Sequence, residues 1–248
     1  MWPAPKCCLT FHYATGVVIT PEEPPQPAAT YRQSQFPSFP GATEILLMRH
    51  GESEPYVEGH PFPLADGHGD PALSPEGKAQ AERLAARLAA VGVDAIYVST
   101  LRRTAQTAAP LAERLGLAPQ VEADLREVHL GEWEGGIYRQ RVAEGDPLVL
   151  QAWTEERWDV IPGAEPAEVF AARVRGAVER LARAHPDQRV AVFTHGGVIG
   201  QVLATATSSR PFAFIAADNA SISRLAVIGE QWIVRTFNDT GHISPRER

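Results

Sequence analysis

The feature that most constrains this chain is a short apolar run at positions 45–48, which ends abruptly in charged residues within the segment EILLMRHGES (44–53). A continuous apolar run of this length is typical of a strand that is covered on both faces in a parallel sheet. Open α/β sheets bind ligands at the carboxyl ends of their strands. Arg49 and His50 therefore stand where ligand chemistry is expected, and Gly51 lets the backbone approach a ligand closely.

A second apolar run ends in the same way. The segment RVAVFTH (189–195) predicts another buried strand, and Gly196 and Gly197 follow it at the start of a helix predicted over 197–206. The free N–H groups at a helix start favour anions. The sequence thus predicts two buried strands that each present a histidine, His50 and His195, at the carboxyl end.

The remaining patterns predict helices that alternate with strands. Ser74 as N-cap and Pro75 at the first helical position begin a helix that ends by Gly92. The other predicted elements are a strand at 95–98, a helix ending at Gly116, a short helix at about 138–158, a helix at about 165–184 and antiparallel edge strands at 221–229 and 231–238. We therefore predict an α/β fold, a three-layer sandwich with a mostly parallel central sheet. Trp133, Trp153 and Trp158 are expected to pack the 138–158 region onto the body.

Composition sets the domain boundaries. The chain has 248 residues, which suits one α/β domain, and we place it at 43–240. Residues 1–42 are rich in proline and lack a periodic apolar face, so we expect a disordered leader. Residues 241–248 are expected to form a loose tail.

Charge and cysteine content exclude several classes of protein. A formal net charge of -7 argues against nucleic-acid or anionic-membrane binding, which needs clustered Lys and Arg. The chain lacks the run of about 18 apolar residues that a membrane-spanning helix needs. Its two cysteines, Cys7 and Cys8, are adjacent and cannot form a disulfide framework. We expect a cytoplasmic protein.

The loop at 54–72 contains His60, Asp66, His68 and Asp70, which invite a metal hypothesis. No fixed spacing of metal ligands supports that hypothesis, however. We favour a polar loop at the rim of a pocket and predict no metal site.

Four motifs in order carry a resemblance to a known family. They are RHG (49–51), LSPEGKAQA (73–81), STLRRTAQTA (99–108) with LREVHLGEWEG (125–135), and FTHGG (193–197). With this set the chain resembles the histidine phosphatase superfamily, in its phosphoglycerate mutase-like branch.

The resemblance implies a role for each matching residue. His50 would be the nucleophile that becomes phosphohistidine, Arg49 and Arg103 would bind the phosphoryl group, and His195 would donate a hydrogen bond to it. Glu127 would be the acid and base. A neutral imidazole, bidentate arginines and a single carboxyl group are the chemistry that phosphoryl transfer through histidine needs.

Some assignments stay open. Arg102 is the alternative to Arg103, and Glu132 or Glu134 would replace Glu127 if the alignment slipped. Ser53 stands where the family often has Thr, and we count it with Gly196 among the substrate-binding residues. Tyr56 stands where many members have an Asn that contacts phosphate, and the sequence does not assign it that contact.

The function expected from this resemblance is hydrolysis of a small-molecule phosphate ester by a metal-independent histidine phosphatase without a cofactor. A phosphoglycerate mutase-type phosphotransferase is an alternative, although residues 54–72 contain no Lys or Arg to hold a second anionic group. A non-catalytic phosphate-binding module is the other alternative. The edge strands at the end would permit a homodimer.

Overall fold

The computed structural model describes Thr30 and residues 40–243. Nearly all of the predicted leader and most of the predicted tail lie outside the described residues, so both stay predictions. The chain divides into two units, and the fold described here belongs to the second, Ser38–Arg248.

The described residues form eight strands and six helices. The strands are β1 (Thr43–Arg49), β2 (Leu64–Ala65), β3 (His68–Gly69), β4 (Ala95–Val98), β5 (Gln120–Val121), β6 (Arg189–Thr194), β7 (Ile222–Ile228) and β8 (Gln231–Asp239). The helices are α1 (Pro75–Ala89), α2 (Arg102–Leu115), α3 (Ile137–Glu144), α4 (Pro147–Glu155), α5 (Ala167–Ala184) and α6 (Gly196–Thr207), with 3₁₀ turns at Ala123–Leu125 and Gly131–Gly136. No helix in this part of the chain is long and apolar enough to cross a bilayer.

The main sheet is mixed but mostly parallel. Its strand order is β5-β4-β6-β1-β7-β8. The first four strands in that order run parallel, and β7 and β8 are antiparallel to their neighbours. The predicted sheet type is confirmed.

The side chains of β1 explain why the sheet lies between two helical layers. Ile45 and Leu47 join a core with α5 and α6, whereas Leu46 and Met48 join a core with α1 and α2. Successive side chains of a strand point to opposite faces, so a continuous apolar run places apolar groups on both. Each fully buried side chain of this size stabilises the fold by about 1.5–3 kcal/mol. The three-layer sandwich is confirmed.

The helix-end predictions agree with the structure. Ser74 Oγ accepts a hydrogen bond of 3.0 Å from the Gly77 amide, and Pro75 begins α1. Gly116 closes α2 with a left-handed φ of 65°, where glycine meets no steric penalty.

The single helix predicted at 138–158 is wrong, because the chain forms α3 and α4 instead. Gly145 ends α3 with a φ of 70°. Asp146 then begins α4, and its side chain accepts a hydrogen bond of 2.9 Å from the Leu148 amide ahead of Pro147. A glycine in the left-handed conformation ends a helix, and a capping aspartate followed by proline begins another. This local signal overrides the helical pattern of the apolar residues.

The three tryptophans differ in environment. Trp133 is buried, and Trp158 packs against the core beside α5 and α6. Trp153 is 47% exposed, although its ring contacts Phe212 with centroids 5.8 Å apart. The packing prediction therefore holds for Trp133 and Trp158, and Trp153 packs through the contact with Phe212 while about half of it stays exposed.

Only one of the two C-terminal strands lies at an edge. β7 is hydrogen-bonded on both sides, to β1 and to β8, so its prediction as an edge strand is wrong. The apolar, buried character of β7 fits this interior position. Within the described sheet the edges are β8 and the two-residue β5. A homodimer stays a prediction.

The loop after β1 meets the start of α1 at a very close approach of two backbones. A Cβ atom added to Gly77 would lie 1.9 Å from the Glu52 carbonyl oxygen, and one added to Gly51 would lie 2.5 Å from the Gly77 carbonyl oxygen. Both neighbours are backbone atoms, which cannot move aside as a side chain does. The loop that follows His50 therefore depends on glycine at both positions.

We expect Gly77→Ala to lower the free energy of unfolding by about 1–3 kcal/mol, the usual cost of overpacking. Gly176→Ala is the matched control, because Gly176 lies in α5 and an added Cβ would meet only the flexible end of Arg180 at 3.3 Å. The control should be neutral or stabilising by about 0.5–1 kcal/mol. Urea denaturation of both variants measures the difference, and equal stability of the two would contradict the close approach.

Candidate active site

The two histidines are brought together by the pairing of β1 with β6. The strands are parallel and Arg49 is the partner of Thr194. The residue that follows each strand is a histidine, so the two histidines lie side by side. The His50 amide donates a hydrogen bond of 2.9 Å to the Thr194 carbonyl. The ring centroids of His50 and His195 are 5.2 Å apart. Both side chains are buried at the carboxyl edge of the sheet.

The His50 ring is held in one tautomer. Its Nδ1 lies 2.7 Å from the Gly51 carbonyl oxygen, which can only accept, so Nδ1 carries the proton and the neutral ring has its lone pair on Nε2. Burial, together with the charges of Arg103 and Arg49, lowers the pKa of His50 well below 6.5. His50 is therefore neutral at pH 7 and its Nε2 can act as a nucleophile.

His195 is fixed from the neighbouring strand. Its Nε2 lies 2.9 Å from Ser99 Oγ, at the carboxyl end of β4. Its Nδ1 is buried and has no hydrogen-bond partner among the described residues. Burial and the charge of Arg103 lower the pKa of His195 well below 6.5. A buried polar atom of this kind is costly unless a ligand satisfies it.

Two arginines are held beside the histidines by backbone carbonyls. Arg49 Nη1 donates to the Ala217 carbonyl at 2.7 Å, and Arg103 Nη1 donates to the Gly69 carbonyl at 2.9 Å. Arg103 is buried, which lowers its pKa to about 10 and still leaves it charged at pH 7. Because their partners are neutral, both guanidinium groups keep charge that a bound anion would neutralise.

The structure separates Arg103 from the alternative, Arg102. Arg102 Nε donates to Asp70 Oδ2 at 2.8 Å, and the side chain of Arg102 is 45% exposed. Its charge is already paired with the carboxylate of Asp70. The geometry favours Arg103 as the phosphate ligand.

Glu127 lies against the start of α6. Its Oε2 accepts a hydrogen bond of 3.1 Å from the Gly197 amide, and its Oε1 accepts one of 3.0 Å from the Val128 amide. Burial lowers the pKa of Arg49 and of Arg103, and the charge of Glu127 opposes part of that lowering. The helix start thus holds this carboxyl group through the Gly197 amide.

The two alternative glutamates are placed differently. Glu134 holds the backbone, with Oε2 accepting from the Gly69 amide at 2.6 Å and Oε1 from the Leu130 amide at 2.9 Å. Glu132 is exposed to solvent. Neither arrangement leaves a carboxyl group beside the two histidines, so Glu127 is the better candidate.

Three further residues named from the sequence lie around this centre. Ser53 is buried, and its Oγ accepts a hydrogen bond of 2.7 Å from Arg139. Gly196 is buried next to Arg49, and an added Cβ would lie 3.6 Å from Arg49 Nε. The Tyr56 hydroxyl reaches Gln140 at 3.4 Å rather than the histidines.

The loop at 54–72 has the polar character predicted for it. Asp70 pairs with Arg102, Asp66 pairs with Arg126 at 3.4 Å, and the ring of His68 contacts that of His129 with centroids 4.9 Å apart. Within the described residues, no three His, Cys, Asp or Glu side chains are grouped so as to hold a metal ion.

Sequence reasoning missed several residues that support the site. Asn219 Nδ2 donates to the His50 carbonyl at 3.0 Å. Arg173 of α5 donates to the carbonyls of Asp124, Arg126 and Glu127. The position of Ser99 directly after a predicted strand could have indicated its role. Asn219 and Arg173 lie outside the motifs, and no sequence pattern indicated theirs.

Comparison with known proteins gives a consistent result. The family described as "Histidine phosphatase superfamily (branch 1)" matches residues 45–240. Phosphoglycerate mutase-like protein 4 of Arabidopsis thaliana is 33% identical over 205 residues, covering 81% of this chain and 86% of that protein. The metal-independent phosphoserine phosphatase of the same plant is 32% identical over 206 residues, covering 82% and 84%.

The fold matches solved structures as well. The mycobacterial glucosyl-3-phosphoglycerate phosphatase in complex with inorganic phosphate has a TM-score of 0.65 and 28% sequence identity, covering 81% of this chain and 99% of that one. The family match spans the sheet and both histidines described above. The chain belongs to the histidine phosphatase superfamily, branch 1, which is its phosphoglycerate mutase-like branch.

Proposed function

We propose that this chain is a phosphomonoester hydrolase that acts on a small phosphorylated metabolite through a phosphohistidine at His50. The observation that carries the proposal is the bond from His50 Nδ1 to the Gly51 carbonyl, which leaves a lone pair on Nε2 in the field of Arg49 and of the buried Arg103. A nucleophile in one fixed tautomer is what attack on phosphorus requires.

In the first step His50 Nε2 attacks phosphorus and the ester oxygen leaves. The attack forms the N–P bond as the O–P bond breaks. Arg49 and Arg103 would bind the equatorial oxygens of the phosphoryl group, and His195 Nδ1 would donate to one of them. The protonated carboxyl group of Glu127 would give its proton to the leaving oxygen.

In the second step water attacks the phosphohistidine. The carboxylate of Glu127 takes a proton from that water as the new O–P bond forms and His50 departs with its lone pair restored on Nε2. Inorganic phosphate then leaves, and the enzyme returns to its starting state. Residues of this chain supply each of these roles, so the proposal includes a metal-independent reaction without a cofactor.

Relatives support the substrate size. Two of them are named for phosphoserine and for glucosyl-3-phosphoglycerate, and one solved relative holds inorganic phosphate. We propose a phosphate ester of comparable size for this chain. A cytoplasmic location and the absence of nucleic-acid and membrane partners stay predictions.

The nucleophile can be tested with a generic aryl phosphate in the presence of a chelator. Wild-type protein should turn over p-nitrophenyl phosphate, and His50→Ala should lose activity by at least about 10³-fold. Acid-labile, base-stable phosphate should be found on the wild-type protein alone. Circular dichroism of the variant checks that it is folded.

Measurements with phosphoglycerates and with inorganic phosphate separate the two alternatives. Interconversion of 2- and 3-phosphoglycerate without net phosphate release would favour the mutase. Phosphate binding with no turnover of any ester would favour the non-catalytic module. Full activity in His50→Ala would overturn the proposed mechanism.

The role of Glu127 can be tested through the leaving group. We expect Glu127→Gln to lower kcat/KM for an alkyl phosphate by about 10²–10⁴-fold, the usual contribution of a general acid. The loss should be smaller for p-nitrophenyl phosphate, because p-nitrophenolate leaves without a proton. Glu132→Gln is the matched control and should retain activity. An equal loss with both substrates would contradict the proton-donor role.

The charge of Arg103 should be visible in the titration of His50. Removing a neighbouring positive charge favours the protonated ring, so Arg103→Gln should raise the pKa of His50, whereas Arg103→Lys should change it less. NMR titration of the His50 ring measures this without depending on turnover. A lower pKa in Arg103→Gln than in the wild type would contradict the proposed field.

A further inference from the structure

Arg139 stands at the rim of the proposed active site, although no motif pointed to it. It lies in the first turn of α3, and its side chain is partly exposed to solvent. Its Nη2 donates to Ser53 Oγ at 2.7 Å, and its Nη1 donates to the Glu54 carbonyl at 2.7 Å. Its guanidinium carbon lies 5.0 Å from the centroid of the Phe62 ring. These contacts hold the guanidinium group in one place beside the loop that follows His50.

The charge of Arg139 reaches the catalytic centre. It contributes to lowering the pKa of His50 and that of Arg103, for both of which burial is the largest cause. Burial is also the largest cause of the lowered pKa of Arg139, and the charge of Arg49 lowers it further. Mutual effects of this kind place Arg139 in the same electrostatic field as the two proposed phosphate ligands.

The charge of Arg139 is available to a ligand. Both of its hydrogen-bond partners are neutral oxygens, and they use only part of its N–H donors. Burial and Arg49 lower the pKa of Arg139, and the Glu52 carboxylate opposes part of that lowering, so Glu52 offsets some of the positive charge at this site. Arg102 differs, because it is paired directly with Asp70.

Two of the four acidic residues of the 54–72 loop are paired with arginines, and the other two, Glu54 and Glu58, are exposed to solvent. Asp70 binds Arg102, and Asp66 binds Arg126. The loop itself contains no Lys or Arg. The cation beside it, Arg139, comes from α3. A substrate whose phosphoryl group occupies Arg49 and Arg103 would still meet a further guanidinium at the rim.

We propose that Arg139 is a specificity-determining residue that binds a carboxylate of the substrate, a few bonds from the phosphate ester. This inference rests on the proposed function, because it assumes that the phosphoryl group is bound by Arg49 and Arg103. A carboxylate suits the site, since a planar guanidinium held in a fixed orientation binds a planar carboxylate through two parallel hydrogen bonds. The substrate class is then that of small phosphorylated acids.

Two matched substrate pairs test the proposal. O-phosphoserine differs from O-phosphoethanolamine by its carboxylate alone, and 3-phosphoglycerate has a carboxylate where glycerol 3-phosphate has a hydroxymethyl group. We expect the wild type to favour the acid of at least one pair by about 10- to 100-fold in kcat/KM, the range for a charge-assisted hydrogen bond. Arg139→Gln should bring this ratio close to unity, mainly through KM.

The controls separate recognition of the carboxylate from general damage. Arg139→Gln should lower turnover of p-nitrophenyl phosphate and of the neutral substrates much less than turnover of the acids, because only the acids lose a direct contact, and Arg139→Lys should keep part of the preference. Arg141→Gln changes an arginine of the same helix that pairs with Glu144 and Asp146, and it should leave the ratio unchanged. An equal loss of acid and neutral substrates in Arg139→Gln would overturn the proposal and assign Arg139 to the phosphoryl group or to the fold.

A binding measurement keeps this inference separate from the proposed function. Calorimetry with His50→Ala compares the affinity for each acid with that for its neutral counterpart, whether or not the wild type is active. Equal affinities within both pairs would overturn the carboxylate subsite. Loss of the preference on adding Arg139→Gln to His50→Ala would support it even if the hydrolase mechanism failed.

Discussion

The parallel pairing of β1 with β6 is the interaction on which the site depends. Its register makes Arg49 the partner of Thr194, and the hydrogen bond from the His50 amide to the Thr194 carbonyl carries that register one residue beyond the strand. A slip of one residue would turn every side chain of β1 to the opposite face of the sheet. The two buried cores, which receive alternate residues of β1, therefore also fix the distance between the two histidines.

Burial is what makes this geometry chemically useful. A histidine in water would be partly protonated near neutral pH, whereas the enclosed ring of His50 is neutral. The same enclosure lowers the pKa of Arg103 without removing its charge. The site thus combines a neutral histidine with cations that have lost much of their hydration, and an anionic phosphoryl group would bind strongly to such an arrangement.

Sequence patterns predicted the parts of the fold that local chemistry decides. The apolar run of β1, the Ser74 cap and the Gly116 stop all depend on neighbouring residues, and each is found as expected. The division of the 138–158 region was missed although Gly145, Asp146 and Pro147 form a local signal that ends one helix and begins the next. The interior position of β7 was missed because it depends on pairing between distant strands. Arg139 and Arg173 were missed for the same reason, since only the tertiary fold brings α3 and α5 to the site.

Arg173 has a consequence for the energetics of turnover. One guanidinium group binds the carbonyls of Asp124, Arg126 and Glu127 and also forms an ion pair with Glu165. The backbone that carries Glu127 is therefore ordered during folding, before any substrate arrives. Conformational entropy that a mobile loop would lose on binding has already been lost here, so binding energy remains for stabilising the transition state.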